Sequence, residues 1–302
     1  MSSGPAGQAT GSSDRPPLET PSRTPLRRFL HTVDGVTIDA AYDPGTRPSG
    51  DSATDVNDVV IVVAHGFTGD LDRPHVRHAA AVLARHAAVV TFSFRGHGAS
   101  GGSSTVGDRE VHDLAAAVAW ARELGHTRVA TVGFSMGGSV VLRHAALHGG
   151  PDGDSDGGSA RGAEMEHEGR TEARTDAVVS VSAPARWYYR GTAPMRRLHW
   201  LVTRPVGRAV GRYGLRTRIH HRDWDPVPTS PVESVPLIAP TPLLIVHGDR
   251  DGYFPVDHPQ MLAAASGGHA ELWIEHGMGH AEHAADDELL GRIGAWAVAA
   301  AG

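Results

Sequence analysis

Val129-Ala130-Thr131-Val132-Gly133-Phe134-Ser135-Met136-Gly137-Gly138-Ser139-Val140-Val141-Leu142 decides how the rest of the chain is read. An apolar segment with strand character runs into Gly-x-Ser-x-Gly, and a segment with helical character follows. A strand that turns sharply into a helix lifts one serine hydroxyl above the end of a sheet, where a nucleophile is needed. The five-residue pattern alone is weak, because it also occurs around Ser100 (Gly98 to Gly102) and Ser155 (Gly153 to Gly157). Ser155 has no strand before it, and Ser100 is followed by Ser103-Ser104-Thr105 rather than by a helix. Only Ser135 has both flanks. Its glycines suit a turn so tight that side chains two positions away would collide.

Outward from that turn the chain alternates. Segments 59–63, 89–94, 129–134, 178–181, 243–246 and 271–274 read as strands, and 74–86, 109–124, 136–148, 257–265 and 285–300 read as helices. Val59-Val60-Ile61-Val62-Val63 is an unbroken β-branched run, suited to a strand buried on both faces. Leu26 to Val33 and Val36 to Tyr42 form a hairpin about Asp34-Gly35. This order predicts an α/β fold: a mostly parallel sheet covered by helices on both faces.

Three stretches stand apart. Residues 1–25 are rich in Ser, Gly, Pro and Thr and read as a disordered tail, not a secretory signal. Residues 149–176 carry seven glycines and eight acids and read as a flexible insertion within the 26–302 domain. Residues 183–240 contain Trp187, Tyr188, Tyr189, Trp200 and Trp224, and ten arginines from Arg186 to Arg222 with no acid among them. This segment is expected to cap the active-site end of the sheet. Within it Val202, Val206, Ala209, Val210 and Tyr213 fall at helical spacing, and Arg204, Arg208, Arg212 and Arg216 recur on another face. An amphipathic helix with a solvated basic face accounts for that pattern; a contact to an anionic ligand or lipid surface is the alternative. Gly207, Gly211 and Gly214 would weaken such a helix and favour a mobile lid.

Composition narrows the chemistry. The 302 residues are 40% hydrophobic and 21% charged, enough for a packed core. The absence of cysteine excludes disulfides, thiolate metal sites and a cysteine nucleophile. A net charge of −6 argues against general nucleic-acid binding. No apolar run reaches the ~18 residues of a membrane span, so a cytoplasmic location is expected.

A serine hydroxyl needs a base, a group that orients the base, and donors for an oxyanion. Ala64-His65-Gly66-Phe67-Thr68-Gly69, at the end of the 59–63 strand, can present the Phe67 N–H. The second donor is the N–H of Met136, next after Ser135. His247-Gly248-Asp249-Arg250-Asp251-Gly252 supplies the acid: Asp251 lies deeper in the loop, while Asp249 suits turn capping or a pair with Arg250. His276-Gly277-Met278-Gly279-His280-Ala281-Glu282-His283 supplies the base. His280 follows two glycines that let the loop bend back; His276 sits too near the strand and His283 is expected on the following helix. With 20 histidines in the chain, spacing alone means little. His75/His78 and His144/His148 lack a neighbouring acid, so no metal site and no cofactor is expected.

The order Ser135, Asp251, His280, together with Phe92-Ser93-Phe94-Arg95-Gly96-His97-Gly98-Ala99-Ser100-Gly101, resembles α/β-hydrolases, and within them the monoacylglycerol-lipase-like and serine-aminopeptidase-like enzymes. The resemblance covers roughly 26–302, apart from the insertion and a weakly matched cap. It implies a structural role for the Arg95-to-Gly101 loop and an oxyanion hole at Phe67 and Met136. The expected activity is hydrolysis of esters with small or medium apolar acyl groups. A thioesterase, acyltransferase or peptidase would use the same residues, and a non-catalytic binding protein could keep the fold.

Overall fold

The computed structural model describes Met1 and residues 25–45, 58–149 and 172–302. The expected tail, the insertion with Ser155, and most of the loop after Tyr42 lie outside the described residues, save for a few at their edges.

Eight strands form one sheet: β1 (Leu26–His31), β2 (Thr37–Asp43), β3 (Val59–Ala64), β4 (Ala88–Phe92), β5 (Arg128–Phe134), β6 (Ala177–Val181), β7 (Leu243–Gly248) and β8 (Ala270–Glu275). Their order is β1-β2-β4-β3-β5-β6-β7-β8. The hairpin β1–β2 and the β2–β4 pair are antiparallel, and all later pairs are parallel. Every residue of β3 is buried, as its β-branched run requires. Val60 and Val62 face one core with Leu114, Val118, Val141 and Leu142. Val59, Ile61 and Val63 face the other, with Leu83, Leu290 and Ile293. The first core is covered by α2 (Glu110–Glu123) and α3 (Met136–His148), and the second by α1 (Pro74–Leu83) and α8 (Asp287–Ala301). Burying both faces is what holds parallel strands, whose connections must cross over the sheet.

Between β6 and β7 the chain forms α4 (Ala193–Thr203), α5 (Pro205–Gly214) and a short turn α6 (Pro231–Ser234); α7 (Asp257–Ala265) follows β7. Here the expected single helix through 202–216 is corrected. Pro205 disfavours helical backbone at the residue before it, and Arg204 is extended at φ −98°, ψ 140°. The packing face of α5 is also not the expected one. Val206 and Tyr213 are 66% and 80% exposed, while Gly207 and Gly211 are buried. A Cβ on Gly207 would lie 2.6 Å from the Leu201 carbonyl oxygen. Gly207 and Gly211 let α5 lie close against its neighbours. The segment is stitched to the loop after β4: Arg218 N–H donates to Gly96 O at 2.8 Å, and Ser104 N–H to Arg218 O at 2.7 Å.

The tightest point is where β5 meets α3. Register pairs Gly133 with Ala64 at the end of β3. A Cβ on Gly137 would stand 2.1 Å from the Ala64 carbonyl oxygen, and one on Gly133 would stand 2.2 Å from Gly137 O. Replacing Gly137 by Ala forces strand and helix apart. We expect Gly137→Ala to cost about 3 kcal/mol or more, or to abolish folding. Gly291→Ala in α8, where the nearest atom is 3.8 Å away, is expected to stabilise by about 0.5–1 kcal/mol through helix propensity. Urea midpoints of the two variants check the contrast.

Candidate active site

The ends of β3, β5, β7 and β8 converge on Ser135. Its backbone sits at φ 52°, ψ −111°, a left-handed conformation for a residue with a side chain. Such a residue costs of order 1–3 kcal/mol, which its surroundings must hold in place. The Ser135 N–H donates to Val181 O at 2.8 Å and Ser139 N–H donates to Ser135 O at 3.1 Å. The turn is therefore locked to β6 on one side and to α3 on the other.

The loop after β8 brings His280 to this turn, and the loop after β7 brings Asp251. His280 Nδ1 lies 2.7 Å from Asp251 Oδ2, and His280 Nε2 lies 2.9 Å from Ser135 Oγ. An ionised carboxylate only accepts, so Nδ1 carries the proton, Nε2 is the acceptor, and the Ser135 hydroxyl donates to it. Asp251 Oδ1 accepts the N–H groups of Tyr253 and Phe254 at 2.7 and 3.1 Å. Burial alone would raise the Asp251 carboxyl. The hydrogen bond and charge of His280, with the two backbone N–H groups, outweigh it and hold the group below the usual carboxylate range. The Tyr253 ring stacks on His280 at 4.2 Å and Phe254 meets it edge-on at 5.6 Å. An imidazole fixed in this way can take a hydroxyl proton while its orientation is held.

Phe67 follows β3 and Met136 opens α3, and no hydrogen bond among the described residues takes the N–H of either. Met136, Phe67 and Ser135 line a cavity of about 520 Å³ with Trp187, Leu198 and Trp224. Trp187, Tyr188, Tyr189 and Trp224 of the inserted segment face this cavity, whereas Trp200 is exposed.

Residues 59–153 match the family model of the alpha/beta hydrolase fold. The chain has the α/β-hydrolase fold. Among solved structures it is similar to the Pyrococcus furiosus esterase Pf2001, at 21% identity and a TM-score of 0.65, over 93% of this chain and 94% of that one. It is also similar to XC6422 of Xanthomonas campestris, described as a serine hydrolase without lid, at 20% identity and 0.54, over 91% and 93%. Est1E of Butyrivibrio proteoclasticus, solved with ferulic acid, gives 18% and 0.53 over 90% and 100%. No curated protein matches the sequence.

Around this core the remaining candidates sort by their contacts. Asp249 accepts from His276 Nδ1 and from Gly277 N–H, both at 2.7 Å, so it caps the β8 loop and does not pair with Arg250. His283 ends a short turn, Ala281–His283, ahead of α8, which corrects its expected place on that helix. The Ser100 hydroxyl is buried, donates to Ser93 O at 2.5 Å and accepts from Asp39 N–H at 2.9 Å. Acids absent from local spacing arrive through the fold: Asp287 lies 2.9 Å from His78, and Glu282 lies beside His75.

Two residues with no role assigned from the sequence shape the loop that carries Phe67. Glu282 Oε1 accepts the Gly66 N–H at 3.0 Å, across 216 residues of chain that leave no local signal. His65 donates from Nδ1 to Gly66 O at 2.7 Å and accepts the Phe94 N–H at Nε2 at 3.0 Å. A histidine directly before a glycine at a strand end was the available clue to it.

Burial pushes the His65 imidazole down to about 3, helped by His97, and burial brings His97 and His258 down to about 4. All three stay neutral in the fold, while the unfolded chain protonates them near 6.5. As pH falls through that value the unfolded chain takes up protons the fold refuses. Stability therefore falls with pH from about 6.5 toward about 4, and above 6.5 these groups add no further slope. Thermal midpoints across that window are expected to drop on acidification; a flat profile contradicts it.

Proposed function

We propose that this α/β hydrolase is a serine hydrolase that cleaves carboxylic esters of small or medium apolar acyl groups. The observation that carries this reading is the unbroken series Ser135–His280–Asp251 at a cavity with apolar walls. His280 Nε2 takes the Ser135 proton as Oγ attacks the ester carbonyl. Asp251 keeps the proton on Nδ1 and stabilises the imidazolium that forms. The N–H groups of Phe67 and Met136 receive the oxyanion, a contribution worth about 10²–10³ in rate per donor. His280 then passes its proton to the leaving alkoxide, and the acyl group stays on Ser135. A water deprotonated by His280 attacks the acyl-enzyme, the acid leaves, and Ser135 regains its proton.

The cavity volume of about 520 Å³ falls in the range that holds a small organic ligand. Phe67, Val106, Met136, Met195, Leu198 and Val202 supply apolar wall. Arg186, Arg190 and Arg222 also line it, which favours as second reading an acyl thioester with an anionic leaving group. Turnover of short nitrophenyl esters beside acyl-CoA separates the two.

Ser135→Ala is expected to lower kcat by about 10⁴-fold or more, and Asp251→Asn by about 10⁴-fold, with far-ultraviolet circular dichroism unchanged in both. Wild-type turnover by the folded Ser135→Ala protein would overturn the proposal.

A further inference from the structure

A second cluster lies behind the loops of the active site. His75 is the second residue of α1, and Glu282 and His283 follow His280 by two and three residues. The fold brings them together so that one ligand atom from each lies within 4.8 Å of the others. The two imidazole rings lie with centroids 3.7 Å apart and their planes tilted by 34°. Glu282 is only 4% exposed. One of its carboxylate oxygens holds the Gly66 N–H at 3.0 Å, and the other, Oε2, is buried without a hydrogen-bond partner among the described residues. A buried carboxylate oxygen with no donor is costly, and a cation beside it would relieve that cost. Neither His75 nor His283 spends a ring nitrogen on a hydrogen bond among the described residues.

We propose that Glu282 Oε2, His75 and His283 form a binding site for one zinc ion. Two imidazoles and a carboxylate are a common donor set for this ion, with ligand atoms about 2.0–2.2 Å from the metal and hence about 3.3 Å from each other in tetrahedral geometry. The present spacing, within 4.8 Å, must close to that value, and the exposed His283 is the ligand with room to move. Water fills the fourth position. The ion compensates the orphaned oxygen without disturbing Oε1, which stays on Gly66. Occupancy ties the Ala281–His283 turn to the start of α1 and so stiffens the loop that carries His280.

The test is calorimetric titration of the untagged, chelator-treated full chain with zinc chloride, alongside His75→Ala, His283→Ala and Glu282→Gln. One saturable equivalent is expected, weakened by about 100-fold or more in each variant, since losing a direct ligand exceeds the 10–100-fold typical of groups behind one. His220→Ala/His221→Ala, which removes a half-buried and an exposed histidine elsewhere, is expected to bind zinc as wild type. At zinc about 100-fold above Kd the melting midpoint is expected to rise by on the order of 5 °C in wild type and not in His283→Ala. His283 is exposed, so its variant keeps the test valid if Glu282→Gln fails to fold. Absence of a saturable step, or an undiminished step in His75→Ala and His283→Ala, would overturn the site. Zinc binding is read without turnover, so it stands or falls separately from the ester-hydrolase proposal.

Discussion

Close approach of α3 to the ends of β3 and β5 governs the rim of this molecule. Gly133 and Gly137 have no room for a side chain, because backbone carbonyls of Gly137 and Ala64 occupy the space. That contact forces the chain to reverse within a few residues and places Ser135 in a left-handed conformation. The turn is held by a parallel sheet buried on both faces, and the same approach lays the His65–Phe67 loop beside the start of α3. A hydroxyl above the sheet, and backbone N–H groups next to it that no group among the described residues takes, are two results of one steric constraint.

Around this turn, polar groups are distributed by charge state. Asp251 stays ionised because its oxygens collect donors from His280, Tyr253 and Phe254. His65 and His97, behind the same loops, are held neutral by burial and act as fixed donor–acceptor struts between backbone segments. Among the described residues, the imidazole of His280 is the one that touches both a carboxylate and the Ser135 hydroxyl. Under the proposed mechanism this separation matters: the struts keep their protons fixed while the central imidazole exchanges its own. The inserted segment completes the site by walling the cavity with aromatic rings, and its arginines set the charge at that wall.

Local signals carried most of this architecture. The β-branched run of β3, the alternation of strands and helices, and the glycine-flanked Ser135 were legible because period, propensity and turn chemistry act over a few residues. Asp251 and His280 were legible through position, each in a glycine-bearing loop after a strand. Strand order and the Glu282–Gly66 bond were not, since each joins residues far apart in the chain. The break at Arg204-Pro205 was written in the proline, but the helical spacing of Val202, Val206 and Val210 ran across it and masked it. That spacing also suggested a buried apolar face, whereas α5 packs through Gly207 and Gly211. Backbone proximity, not side-chain hydrophobicity, chose the face, and a hydrophobic pattern does not register it.

The central claim is that Ser135, and no other serine, is made nucleophilic by its neighbours. Labelling the native chain with a fluorophosphonate and mapping the adduct by peptide mass spectrometry tests it most directly. One adduct per chain on Ser135, lost when the protein is unfolded in urea, is the predicted result. A folded chain that takes no label, or takes it on Ser100 or another serine, would contradict the account.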